Sequence, residues 1–334
     1  MSVTIDDETY FQSMQENLDD LVDGINNGSV CEKDIKDFLL QNTILTYDFK
    51  YELDMSLYRA RFDSGFDKTD PSQFGYIHDL SKITRFRYNQ DHEAVLYMAT
   101  FPSTAYLEIE GSRKSETYFY LSIWSHKDGA KAFNCALNVN GNNLSIGSRA
   151  ERFYNILRNN VGESTSKLYY LETLGKVLEK PGTDYLFSSI LASKLFEKHD
   201  ALITTSMKSQ GSELNVTFNQ YASDNLLELK YIYRCVVPSN NHTLAYKVDE
   251  IGIPQGDKIE WRKWSVDYDS IRFAEQQTID VTVEQLRASI QTGKDIMSKV
   301  MNPNVNKEPD DWQEGVVVMN GKSFKVLFKV KLIN

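Results

Sequence analysis

Residues 94–108, AVLYMATFPSTAYLE, hold the pattern on which the fold turns. The run from Ala94 to Ala99 is short and apolar, as a buried strand is. Ser103, Thr104 and Ala105 then lead through a short turn or helix to Glu108. Upstream, from Tyr51, the period is two: Leu53, Met55, Leu57, Arg59 and Arg61 fall on one side, and Tyr58, Ala60 and Phe62 on the other. That alternation predicts a strand with two arginines on one face. The polar stretch from Asp63 to Asp79 carries Gly, Asp and Pro and is expected to be a long loop, the kind of segment that often carries function.

Before the strands lies a helical preface. Tyr10, Phe11, Met14, Leu18, Leu21, Val22 and Ile25 recur at three- and four-residue steps, which predicts an amphipathic helix ended by Asn27-Gly28. Ser29 with Glu32 three residues later has the form of a capping box opening a second helix through Ile35, Phe38 and Leu39. Downstream, Tyr118 to Trp124 is strand-like; Arg149 to Asn160, Lys167 to Glu179 and Asp184 to Lys198 are helical by period. Pro181-Gly182 separates the last two. Ala201 to Thr205, Glu213 to Gln220 and Leu227 to Val237 are strand-like, and strands are expected around Lys258 to Val266. A helix over Val283 to Met301 and a hairpin turning at Asn320-Gly321 complete the chain. The fold class is α+β: a mixed strand-rich core with a helical preface and extra C-terminal strands and helix.

Composition narrows the function. The chain has 334 residues, 41% hydrophobic and 12% aromatic, enough to bury a sizeable core. Its 37 Lys+Arg against 47 Asp+Glu give a net charge of −10, which argues against a sequence-independent grip on nucleic acid. No stretch reaches the roughly 18 to 20 apolar residues of a membrane span, and MSVTIDDETY is acidic where a signal peptide is basic and then apolar. A cytoplasmic protein without membrane partners is expected. Cys31, Cys135 and Cys235 are odd in number and far apart, so neither a disulfide framework nor a thiolate zinc site is suggested. The five histidines show no HExxH spacing, no metal site is expected, and no Gly-x-Gly-x-x-Gly loop points to a Rossmann grip on a dinucleotide.

Four segments together carry a more specific signal: Leu57-Tyr58-Arg59-Ala60-Arg61, Arg85-Phe86-Arg87-Tyr88-Asn89, Val95-Leu96-Tyr97-Met98-Ala99 and Thr104-Ala105-Tyr106-Leu107-Glu108. Here the chain resembles the RES-domain family, whose pattern runs RxR, GRxNPxG, LYLA and TAxxE. The spacing agrees as well, with Tyr97 ten residues after Arg87 and Glu108 eleven after Tyr97. Ala201 to Ser206, followed by Asn215 and Phe218, resembles the family's third segment, with Thr204, Thr205 or Ser209 as rival counterparts of Ser206. The resemblance covers about residues 51–220. It implies a RES-like catalytic domain over 49–220 with an insertion at about 111–183; the helical preface over 1–48 and a strand-rich extension over 221–334 lie outside it.

The resemblance also implies a fold similar to ADP-ribosyltransferases and an active site for which NAD is the substrate, consumed by hydrolysis, phosphorolysis or ADP-ribosyl transfer. Many such proteins are toxins held by an antitoxin, so a cognate antitoxin or immunity protein, or a protein acceptor of ADP-ribose, is an expected partner. The residue types suit that chemistry. Cleavage of the nicotinamide glycosidic bond passes through an oxocarbenium-like state that a carboxylate stabilises, which is the role expected of Glu108. Arg87 fits the motif as a guanidinium for pyrophosphate oxygens, with Arg59, Arg61 and Asn89 as further substrate-binding residues. Tyr97 offers a flat face to nicotinamide, and Ser206 a hydrogen-bonding hydroxyl. No metal or second cofactor is required. Phe86, Gln90 and His92 stand where the family has Gly, Pro and Gly, so a catalytically silent RES-like module that binds a protein is the alternative.

Overall fold

A computed structural model of the chain describes residues 7–42, 44, 46–51, 56–63, 65–110, 118–130, 132–141, 144–161, 165–179, 185–236, 247–273, 313–319 and 322–333. The expected helix over Val283 to Met301 and the turn at Asn320-Gly321 lie outside the described residues. The chain divides into two compact units, one formed by residues 1–54, 75–107 and 126–228 and the other by 55–74, 108–125 and 229–334.

The first unit contains α1 (Asp7–Asn26), α2 (Glu32–Gln41), β1 (Tyr47–Tyr51), β3 (Val95–Ala99), most of α3 (Pro102–Glu110), β5 (Phe133–Asn138), α4 (Arg149–Val161), α5 (Thr165–Glu179), α6 (Leu186–Phe196), β6 (Ala201–Thr205), β7 (Leu214–Asn219) and α7 (Gln220–Asn225). Its strands run in the order β1-β5-β6-β7-β3. The β5–β6 pair is parallel and the other three are antiparallel. A parallel pair needs a long crossover. Here the crossover consists of α4, α5 and α6, and α5 and α6 pack back on β5 and β6. The preface is built into this unit, since α1 packs on α5, α2 on α6, and β1 pairs with β5.

Helix α1 ends as its sequence suggests, with Gly28 at φ 76° in the left-handed region that glycine enters without steric cost. The expected cap of α2 is corrected. Cys31 occupies the N-cap position, and its backbone N–H donates to the Asp34 carboxylate at 2.8 Å. Ser29 closes the preceding helix instead, donating from Oγ to the Gly24 carbonyl at 3.3 Å. The open carbonyls at the end of α1 compete for the serine hydroxyl and take it.

The second unit contains β2 (Leu57–Phe62), most of β4 (Tyr118–His126) and of β8 (Leu227–Val236), β9 (Lys247–Gln255), β10 (Lys258–Phe273), β11 (Gln313–Met319) and β12 (Lys322–Ile333). Strand β2 pairs antiparallel with β4, which neighbours β8, and the order continues β9-β10-β12-β11. The stretch expected to be a long loop is pinned in this unit as far as Phe74. Arg59 Nη1 donates to the Phe74 carbonyl at 3.0 Å, and Arg61 Nη1 to the Gln73 carbonyl. The Trp261 indole N–H donates to the Lys68 carbonyl at 2.9 Å. Phe66, Phe74, Tyr120 and Trp261 stack edge to face or tilted beneath it, with centroids 5.3 to 6.5 Å apart.

Candidate functional site

Strand alternation sorts the sheet of the first unit into two unlike faces. The register Cys135–Ala201–Phe218–Leu96 runs across one face, and Leu137–Ile203–Val216–Met98 lies beside it. All eight are buried and apolar. The rows between them point the other way and are largely polar: Asn138–Thr204–Asn215–Ala99 and Ala136–Leu202–Thr217–Tyr97. Asn138, Thr204, Asn215 and Thr217 are each 0% exposed, although burying a polar side chain costs free energy unless a partner is found.

Residues 83–92 fold onto this face. Phe86 and Asn89 bridge each other across a tight turn at Arg87-Tyr88. Asn89 is buried and donates its two amide hydrogens to the carbonyls of Thr84 and Gln90, at 3.0 and 2.9 Å. Arg85 ties the turn to α2 through a 2.8 Å ion pair with Glu32. His92, where the family pattern has glycine, takes φ 65°, the left-handed conformation that costs glycine least. Its Nδ1 lies 2.9 Å from the Leu80 carbonyl, a bond that helps offset the strain. The residue type departs from the pattern, while the backbone adopts a conformation typical of glycine.

The turn delivers Tyr88 into the sheet. Its hydroxyl donates to Thr204 Oγ1 at 2.9 Å, between residues 116 apart in sequence. Its ring stacks on that of Tyr97, with centroids 5.1 Å apart and planes 9° from parallel. Burial pushes the Tyr88 hydroxyl above its ordinary value, while the Arg87 charge and the Thr204 bond act the other way. The Arg87 guanidinium lies 5.9 Å from the Tyr88 ring. Phe86 meets the Tyr97 ring edge-on at 6.5 Å and that of Tyr185 at 4.9 Å.

Ser206 follows β6 directly and is 0% exposed. Its Oγ accepts the Ser209 N–H at 3.3 Å, and its own N–H donates to the Glu213 carbonyl at 2.9 Å, which fixes the hairpin into β7. The far end of that hairpin is clasped to the end of β3. Thr100 Oγ1 donates to Glu213 at 3.2 Å, and Arg149 donates to the Thr100 carbonyl and pairs with Glu213 at 3.6 Å.

Of the residues singled out in the sequence, Arg87, Asn89, Tyr97 and Ser206 therefore belong to the first unit, grouped around the Tyr88–Thr204 contact. Glu108, half-buried in the last turn of α3, belongs to the second, as do Arg59 and Arg61. Burial lowers the Arg59 guanidinium to about 10, with Arg61 adding a smaller push in the same direction. Sequence reasoning named Tyr88 in a motif and Thr204 as a rival to Ser206, but gave neither the role of joining turn to sheet. The buried polar rows were the missing signal. They are legible only once four strands are placed in register.

Among the described residues no group of three His, Cys, Asp or Glu side chains is placed to hold a metal ion, and no helix is long and apolar enough to cross a membrane. A groove of about 640 Å³ between α1 and α5 is lined by Gln12, Gln15, Glu16 and Tyr169 among others, and by none of the residues singled out above.

No family model matches the sequence, and no curated protein matches it. Among solved structures, a chain in the crystal structure of the M. tuberculosis MbcT–MbcA toxin–antitoxin complex is similar at 10% identity and a TM-score of 0.32. The overlap covers 56% of this chain and 86% of that one. A likeness at that level assigns neither fold family nor activity.

Proposed function

We propose that the chain is an NAD-consuming enzyme with an ADP-ribosyltransferase-like fold, acting as a toxin or defence effector. The observation that carries this reading is the seating of the Arg87-Tyr88 turn on the polar sheet face. There a guanidinium, a stacked tyrosine pair and a serine hairpin, distant in sequence, share one neighbourhood. In the proposed reaction the bond between the ribose anomeric carbon and the nicotinamide nitrogen breaks, and its electron pair neutralises the pyridinium, so nicotinamide leaves without needing a proton. Water, phosphate or a protein side chain then supplies the oxygen or nitrogen that bonds to the anomeric carbon and releases its own proton. Arg87 would hold pyrophosphate oxygens through paired N–H donors. Tyr97 would border the nicotinamide, Ser206 would orient the ribose, and Glu108 would stabilise the oxocarbenium charge. An antitoxin or immunity protein is the partner such an activity calls for.

The test is nicotinamide release from NAD by the purified chain, with and without phosphate. Release that depends on phosphate identifies phosphorolysis, and release without it hydrolysis. Absence of release, together with no transfer of ADP-ribose to lysate proteins by mass spectrometry, refutes the reading. One observation favours the silent alternative: the Phe86 ring stands beside Tyr97 and Tyr185 where the family pattern has no side chain. Titration calorimetry separates the two, since a site closed by Phe86 gives no heat with NAD or ADP-ribose.

A further inference from the structure

Tyr185 stands in a conformation that its residue type does not favour. It opens α6 at φ 50° and ψ 24°, in the left-handed region where a bulky side chain is an outlier. Nor does it cap the helix: Ser, Thr, Asp and Asn serve best at that position, and the Tyr185 side chain makes no capping bond. Its carbonyl accepts the Ser189 N–H at 3.0 Å and the Ser188 hydroxyl at 3.3 Å, bonds that any residue would supply. What tyrosine adds is its ring, which lies 4.9 Å from that of Phe86 with the planes 53° apart.

Phe86 is the second costly feature. Its side chain is 51% exposed, and a lone exposed apolar residue would need no explanation. This one is held in place. Two backbone bonds between residues 86 and 89, of 3.1 and 3.4 Å, fix its turn, and the ring meets Tyr97 edge-on at 6.5 Å. Tyr97 is half-buried and backed by the buried Tyr88. Rings from β3, from the turn and from the start of α6 therefore form one aromatic wall beside Arg87, open to solvent at Phe86. Backbone strain of the kind seen at Tyr185 clusters at ligand clamps and active sites. A planar heterocycle is the ligand such a wall suits, since every base offers a π face to an aromatic ring.

The reaction proposed above puts nicotinamide against Tyr97 and pyrophosphate on Arg87, and the base that remains is adenine. We propose that Phe86 and Tyr185 form the seat of the adenine ring, stacking on it at the open end of the wall. The inference rests on that reading of the site, so its test uses a ligand that the reaction does not consume.

Titration calorimetry of AMP into the full chain compares wild type with Phe86→Ala, Phe86→Tyr and Tyr185→Gly. Removing an aromatic ring from under a base commonly costs about 5- to 150-fold in affinity. Phe86→Ala is expected to weaken AMP binding by about 5-fold or more, and Phe86→Tyr, which keeps the ring, to stay within about twofold of wild type. Tyr185→Gly should also weaken AMP binding while its thermal midpoint stays at or above that of wild type, because glycine takes φ 50° without strain. Ribose 5-phosphate and nicotinamide mononucleotide, which lack adenine, should bind wild type and variants alike. A ring that merely closed the site would give the opposite sign, with AMP binding more tightly to Phe86→Ala than to wild type. That result, or no binding of AMP by wild type, overturns the proposal. So does an equal loss for nicotinamide mononucleotide, which puts the other base on the rings, and so does a much lower thermal midpoint in Tyr185→Gly, which shows the tyrosine serving packing. AMP binding that follows the rings in a chain that releases no nicotinamide upholds the base seat and removes the NAD reading. Nicotinamide release with a wild-type KM in Phe86→Ala does the reverse.

Discussion

Replacing Tyr88 with phenylalanine removes one oxygen and leaves the ring that stacks on Tyr97 in place. The oxygen is fully enclosed: Tyr88 and Thr204 are each 0% exposed, and the bond between them measures 2.9 Å. Losing such a bond costs about 1 kcal/mol net, and leaving the Thr204 hydroxyl buried without this partner raises the figure to about 1–3 kcal/mol. Thr204→Val should cost a similar amount by stranding the tyrosine hydroxyl. The double variant Tyr88→Phe/Thr204→Val removes both polar groups and should be less destabilised than the two singles added together, by about 1–2 kcal/mol. Urea unfolding followed by circular dichroism measures this, provided the m-value stays constant across the four proteins. Singles within about 0.3 kcal/mol of wild type, or a strictly additive double, would refute the claim that this bond anchors the turn to the sheet.

Other expectations follow from burial and charge. Cys135 and Cys235 are buried, and burial pushes both thiols up, whereas Cys31 is exposed. One thiol per chain should therefore react promptly with a disulfide reagent in the native protein and three after denaturation, and prompt reaction of all three would contradict the packing. Burial also raises the Glu179 carboxyl above its ordinary value of 4.5, so the folded chain keeps that proton to a higher pH than the unfolded chain does. Its favourable contribution is complete below about pH 4.5 and is lost as pH rises through the folded value. Glu179→Gln should flatten that part of the stability–pH curve, and an identical slope in both proteins would exclude a raised carboxyl.

Much of the fold was legible in the sequence because it rests on local periods. The apolar spacing of Tyr10 to Ile25 and of Arg149 to Asn160 marks α1 and α4 closely, and the β-leaning run Ala201 to Thr205 is β6 as drawn. Strands β1 and β5 were not anticipated. Tyr47–Tyr51 is short and charged at every second residue, and in Phe133–Asn138 the small Cys135 and Ala136 and two asparagines dilute the apolar signal. What makes β5 a strand is pairing on both sides with segments distant in sequence. The same limit applies to the site. Motif spacing singles out Arg87 and Tyr97, but the contact that seats their turn joins residues 88 and 204, and no local pattern encodes it. The polar stretch expected to be a long loop gives the carbonyls of Gln73 and Phe74 to Arg61 and Arg59, a tie between segments that no local period shows. The glycine-like backbone at His92 was hidden because the residue has a Cβ.

The central claim is NAD cleavage with Glu108 as the charge-stabilising carboxylate. Nicotinamide release by wild type beside Glu108→Ala, with both proteins shown to be folded by circular dichroism, tests it most directly. The account predicts turnover by wild type and a loss of about 100-fold or more in the variant, the scale of a single electrostatic catalytic group. Equal turnover in the two proteins would contradict the role of Glu108, and no turnover or ADP-ribose transfer by wild type would contradict the activity itself.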